Sequence, residues 1–178
     1  MISIHPTAEV KTDSIGEGTI IWQHAVIQED VMIGTNCKIG ANVFIEEGVT
    51  IGNNVTVKNN ISIYKGVTIE DNVFLGPSCV FTNVLTPRSF ISRKKELIGT
   101  RVENGASIGA NATIICGHTI GEYAMVGAGS VVTNDVPNNT MVYGNPATPA
   151  GYVCECGCRL DPLENKYKCR ECGKIYTF

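Results

Sequence analysis

The chain has 178 residues, 43% of them hydrophobic, enough for one good-sized domain with a small appendage and too apolar for global disorder. Only 17% is charged and the net charge is −3, which argues against a general nucleic-acid binder. No stretch approaches the roughly 20 apolar residues of a membrane span, and Met1 to Val10 carries no basic or apolar leader pattern, so a cytoplasmic protein is expected.

After a ragged start around Ile4 and Val10, a repeat of period six begins. Every sixth residue from Ile15 to Phe81 is large and apolar, twelve in succession, and the pattern resumes from Val102 to Val132. An α-helix cannot use this period, because six residues turn about 600° and smear the stripe around its surface. Three residues after the apolar positions come Gly18, Asp30, Asn36, Asn42, Gly48, Asn54 and their like, residue types that tolerate positive φ at sharp corners. Four residues after them come small or β-branched fillers such as Ala25, Val31, Cys37 and Ala106. Three short sides close one coil, so about 18 residues make one turn of a β-helix with coils spaced at roughly 4.8 Å. Eighteen regular hexads predict six such coils.

Within the repeat, His24 takes a corner slot and His118 a filler slot; either imidazole could serve as a general base. Cys37 and Cys79 read as core, and Cys116 has no evident role. Gly127-Ala128-Gly129 falls on regular hexad positions and is not a dinucleotide fingerprint. The repeat breaks at residues 84–101, VLTPRSFISRKKELIGTR, where five cations face Glu96 alone. Long loops on rigid scaffolds concentrate binding residues, so this one is expected to clamp an anionic ligand. Asn83 stands at its mouth, able to donate and to accept.

After residue 150 the period vanishes. Residues 151–178 hold five of the eight cysteines, and Cys154, Cys156, Cys169 and Cys172 form two thiol pairs, each followed by glycine. So short a tail cannot build a sufficient core alone, so a structural Zn²⁺ on four thiolates is expected. Cys158 is a surplus thiol able to replace Cys154 or Cys156.

Residues 59–93, with VFTNVLTPRS at their end, and residues 105–137, followed by YGNPA, resemble the sugar-nucleotide 3-N-acetyltransferases of bacterial polysaccharide assembly, of the type acting on UDP-2-acetamido-3-amino-2,3-dideoxyglucuronate. The resemblance covers residues 1–150; the second coil, Trp22-Gln23-His24, and the cysteine tail depart from it. It implies an all-β, left-handed parallel β-helix of hexapeptide repeats with one inserted loop, to which the cysteine spacing adds a small zinc-ribbon-like tail. It also implies a homotrimer, with acetyl-CoA and a nucleotide-linked amino sugar (UDP or dTDP) as substrates. In that reading Asn83, His24 and His118 are candidate catalytic residues, Asn60, Phe81, Arg88 and Arg93 hold the sugar nucleotide, and Gly109, Ala128 and Asn134 line the coenzyme A path. Two other activities are weighed beside it. An O-acetyltransferase would use His24 or His118 as base. A γ-type carbonic anhydrase would need three zinc-bound histidines with close spacing, and the sequence has no local histidine pair.

Overall fold

A computed structural model describes residues 1–178 and contains no helix. Three parallel sheets run along the chain. The first is laid down by Ser3–Ile4, Ile20–Ile21, Lys38–Ile39, Thr56–Val57, Phe74–Leu75, Ser107–Ile108, Met125–Val126 and Thr140–Tyr143, eight parallel rungs in all. The second holds seven strands from Glu9–Val10 to Val131–Val132, and the third five, from Met32–Ile33 to Thr119–Ile120. The sides follow one another in chain order, so the molecule is a triangular β-solenoid. It has one coil more at each end than the six regular ones expected.

The register carries the repeat directly. Ile21 pairs with Ile39, and Ile39 with Val57, each step 18 residues. Two inward residues per side fill the prism. The sixth-residue knobs and the fillers Ala25, Val31, Val43, Ala106 and Ala112 are almost fully excluded from solvent, in one core of 32 buried residues. Each buried Ile or Val contributes about 1.5–3 kcal/mol before ordering entropy is subtracted. Cys37 and Cys79 belong to this core, and burial pushes the Cys79 thiol up to about 12. Corners turn through left-handed backbone at Asp30, Asn36, Asn42, Asn54, Asn60 and Asn72, with φ between 55° and 61°. Asparagine side chains stack between successive coils, as in Asn54 to Asn72 to Asn104.

Two expected site residues occupy regular positions of the scaffold. Phe81, expected against the sugar nucleotide, is 1% exposed and is the largest fully buried side chain. It occupies a sixth-residue knob, so its ring points into the prism and cannot touch a ligand. Phe81→Ala is expected to cost about 3–5 kcal/mol in denaturant unfolding and to leave the KM of both substrates unchanged in the protein that remains folded. Asn60 sits at φ 61° and accepts from the Asn42 amide at 3.1 Å, as a rung of a corner ladder.

The insertion also differs in extent. Strand Thr100–Val102 re-enters the third sheet beside Val67–Ile69, so the loop proper ends at Gly99. Arg101 therefore belongs to the scaffold and pairs with Glu70. At the other end, Thr148–Tyr152 folds back antiparallel on Thr140–Tyr143 and crosses the boundary expected after residue 150. A three-stranded antiparallel sheet, Leu160–Leu163, Lys166–Cys169 and Ile175–Tyr176, completes the tail. The backbone of Asn139 donates nothing to the tail but accepts from Val153, while its side-chain amide donates back to the Val153 carbonyl at 3.0 Å.

Candidate active site

The corner between the second and third sheets is where the repeat is interrupted. The loop leaves after Val80–Phe81 and returns at Thr100. Its neck is closed by the Ile98 N–H donating to the Asn83 carbonyl at 3.0 Å. That leaves the half-buried Asn83 side chain at the mouth, with its amide engaging no group of the chain.

His118 lies one coil further on, at the same corner. The Arg101 N–H donates to the His118 carbonyl and the Gly117 N–H to that of Gly99, which seats this corner directly against the loop's return. His118 was expected to fill a core slot. Instead Cys116, at 2% exposure, takes the interior, and the imidazole is turned outward at 25%. Gly117, at φ 95°, supplies the altered turn. The burial cost of an imidazole explains the inversion, since an unpaired polar ring inside an aliphatic prism would be penalised.

Sequence reasoning passed over the group that orients this ring. Asp135, one coil beyond, places Oδ1 at 3.3 Å from His118 Nδ1 and accepts from the Thr119 N–H at 2.9 Å. That backbone bond first, and His118 second, hold the Asp135 carboxyl below the usual carboxylate range. The contact engages His118 Nδ1 and leaves Nε2 without a partner in the chain. An acid three residues after a sixth-residue knob was visible in the sequence, but it looked like one more corner residue.

The remaining expected residues divide between edges. Arg88 and Arg93 ride on the loop. Arg88 is exposed, and Arg93 is bound by Glu96 at 2.8 Å. Asn134 is exposed on the same edge as His118. Gly109 and Ala128 lie on the other side of the second sheet, on its edge with the first. A Cβ at Gly109 would fall 2.4 Å from the Ala128 nitrogen, so only glycine lets these coils stack. The Gly109 N–H is spent on the Val126 carbonyl, whereas the Ala128 N–H has no partner in the chain. His24 is exposed at φ 57° on that first–second edge, four rungs before His118, or roughly 19 Å along the axis at ~4.8 Å per rung. Within one chain His24 and the His118 corner do not form one site.

A separate cluster lies in the tail. The sulfurs of Cys154, Cys156, Cys169 and Cys172 lie within 4.8 Å of one another, with Cys154–Cys172 at 3.4 Å and Cys156–Cys169 at 3.5 Å. Sulfurs about 2.3 Å from a tetrahedral zinc are roughly 3.8 Å apart, so the four thiols fit that ion. Cys158 is not one of the four. Backbone donation from Cys172 is the main cause that lowers the Cys169 thiol to about 6. The four-cysteine cluster contains no histidine.

The chain matches the family described as bacterial transferase hexapeptide (six repeats) over residues 14–47 and 48–83, and hexapeptide repeat of succinyl-transferase over 99–134. It is also 54% identical over 181 residues to the dTDP-3-amino-3,6-dideoxy-alpha-D-galactopyranose 3-N-acetyltransferase of Aneurinibacillus thermoaerophilus, covering 98% of this chain and 90% of that protein. The chain belongs to the hexapeptide-repeat transferases. It is an acyltransferase of this family, and all but the last residue of the loop, residues 84–98, fall in the gap between the matched repeats. Among solved structures, PerB from Caulobacter crescentus in complex with CoA and GDP-perosamine is 26% identical with a TM-score of 0.52, covering 84% of this chain. This chain spans 57% of PerB's length. A maltose O-acetyltransferase from Clostridium difficile 630 is 27% identical with a TM-score of 0.53, covering 65% of this chain and 69% of that one.

Proposed function

We propose that this hexapeptide-repeat transferase moves the acetyl group of acetyl-CoA to the 3-amino group of a dTDP-linked 3-amino-3,6-dideoxyhexose. The 54% identity over nearly the full length to an enzyme of that activity carries the reading. Arg93 already holds Glu96, and Arg101 already holds Glu70. Arg88, Lys94 and Lys95 remain exposed on the loop without an ion pair.

The neutral amine attacks the thioester carbonyl carbon, forming the C–N bond and sending the carbonyl π pair to oxygen. Collapse of that intermediate breaks the C–S bond and expels the coenzyme A thiolate. Asn83 orients the carbonyl or the amine, and an unspent backbone N–H meets the oxyanion, as in other acyl transfers. His118 Nε2, on a ring fixed by Asp135, receives the proton the nitrogen must lose. Because a sugar amine has an appreciable neutral fraction near neutral pH, much of the rate comes from positioning.

A homotrimer completes the site. The outward residues of the second sheet are Glu9, Val26, Phe44, Ser62, Val80, Thr113 and Val131, a partly apolar face on which Val80 is 45% exposed. Packing this face about a threefold axis brings the second–third edge of one protomer against the first–second edge of the next. Asn83 and His118 of one copy then face the Gly109–Ala128 edge of another. The tail holds a structural Zn²⁺ on Cys154, Cys156, Cys169 and Cys172, which supplies cross-linking and no chemistry of transfer. The site of action is the cytoplasm, where acetyl-CoA and nucleotide sugars are made. The solenoid has no helix long and apolar enough to cross a membrane.

The test is a panel of 3- and 4-amino sugars linked to dTDP, UDP or GDP, with maltose as a hydroxyl acceptor, scored by release of coenzyme A thiol. The dTDP-3-amino sugar should exceed every other acceptor at least ~10-fold in kcat/KM, a difference of about 1.4 kcal/mol in transition-state binding. Preferred acetylation of maltose would overturn the reading in favour of an O-acetyltransferase.

A further inference from the structure

A cleft of about 410 Å³ opens on the first–second edge across the second, third and fourth rungs. Trp22 forms one wall. It is 51% exposed, although an indole is large enough to be worth burying, and it is the only tryptophan of the chain. Lys38 and Lys58 flank it, both exposed and neither in an ion pair, and no carboxylate lines the cleft in a chain whose net charge is −3. Asn59 forms part of the floor. Its Oδ1 accepts from the Ala41 N–H at 3.0 Å, which turns the Nδ2 donors outward. A Cβ at Gly40 would sit 2.6 Å from that Oδ1, so the floor needs glycine there.

We propose that this cleft binds the nucleoside diphosphate of the acceptor, with the thymine ring on the Trp22 indole and the phosphates between Lys38 and Lys58. The inference deepens the N-acetyltransferase reading and rests on it. A flat π-face beside two unpaired ammonium groups is what a base and its diphosphate require. The order of features along the edge agrees. The cleft ends at Asn59 in the fourth rung, Gly109 stands in the sixth, and the two are roughly 10 Å apart at ~4.8 Å per rung. A hexose spans that gap and brings its amine level with the fifth rung, from which the loop and Asn83 emerge. In the trimer, that Asn83 belongs to the neighbouring protomer.

The single tryptophan makes the site observable without turnover. In titrations of the full-length protein, dTDP should change Trp22 emission saturably, and thymidine should do so more weakly. Lys38→Ala or Lys58→Ala should each weaken dTDP about tenfold or more, the loss expected for a hydrogen bond to a charged group, while coenzyme A affinity stays the same. Trp22→Ala should raise the KM of the nucleotide sugar at nearly constant kcat. Calorimetric binding of dTDP with silent Trp22 emission and unaffected lysine variants overturns the proposal, as does no binding of dTDP at all. Saturable dTDP binding at Trp22 in a protein that acetylates no amino sugar upholds the cleft and refutes the N-acetyltransferase reading instead.

Discussion

Asn83→Ala should lower kcat by about 10²-fold, the loss typical of misplacing a reacting group by about 1 Å, and leave the KM of acetyl-CoA nearly unchanged. The reasoning is structural. The part of Asn83 that holds the loop is its backbone carbonyl, which accepts from Ile98 and survives the substitution. What alanine deletes is the half-buried amide that no other group of the chain occupies. A fall in kcat with intact binding therefore reports an interaction made in the transition state. Asn83→Asp keeps the shape and removes the donor, so it should be nearly as slow. Unchanged kcat and KM in the alanine variant would dismiss Asn83 from the mechanism.

Removing zinc should melt the tail and spare the solenoid. The buried core of the tail consists of Cys154, Leu160 and Cys169, with Tyr152, Cys158, Tyr167 and Tyr176 packed against it. Even with the buried Val153 beside them, these are far too few to offset the entropy of ordering a segment of this length. Four thiolates on zinc contribute about 10–16 kcal/mol in small peptides at neutral pH. Chelation, or Cys169→Ser, should abolish the near-ultraviolet signal of the stacked rings Tyr152, Tyr176 and Phe178. The far-ultraviolet signal of the parallel sheets should persist, because their core of 32 residues includes none from the tail. Metal analysis should give one zinc per chain in the parent and in Cys158→Ser, and none in Cys169→Ser. A metal-free parent with undiminished aromatic signal would refute the zinc site.

The period of six was legible because every hexad repeats the same local conflict. A large knob must point inward, a small filler must fit between knobs, and the chain must turn at left-handed φ; one register satisfies all three. The four tail thiols were legible for a similar reason, since their spacing along the chain already limits their spacing in the fold. Phe81 misled because it stands beside the loop in sequence, while its place in the hexad already assigned it to the interior. The His118 slot misled in the opposite sense. The filler position there is filled from Cys116, and no rule of the repeat announces that exchange. Asp135 escaped notice because its partner lies one coil away, 17 residues back.

The amino-acid sequence by itself determined the triangular solenoid, the place of its interruption and the thiol set of the tail, since each depends on contacts that recur at a fixed interval along the chain. Only the tertiary structure decided that Asn83, His118 and Asp135 share one edge, that His24 stands apart, and that Trp22 and two lysines border a cleft. Those relations depend on which corner of the prism a residue occupies and on how many coils separate it from another. Side chains that meet across coils are set by stacking, and stacking is fixed only when the whole rod has closed.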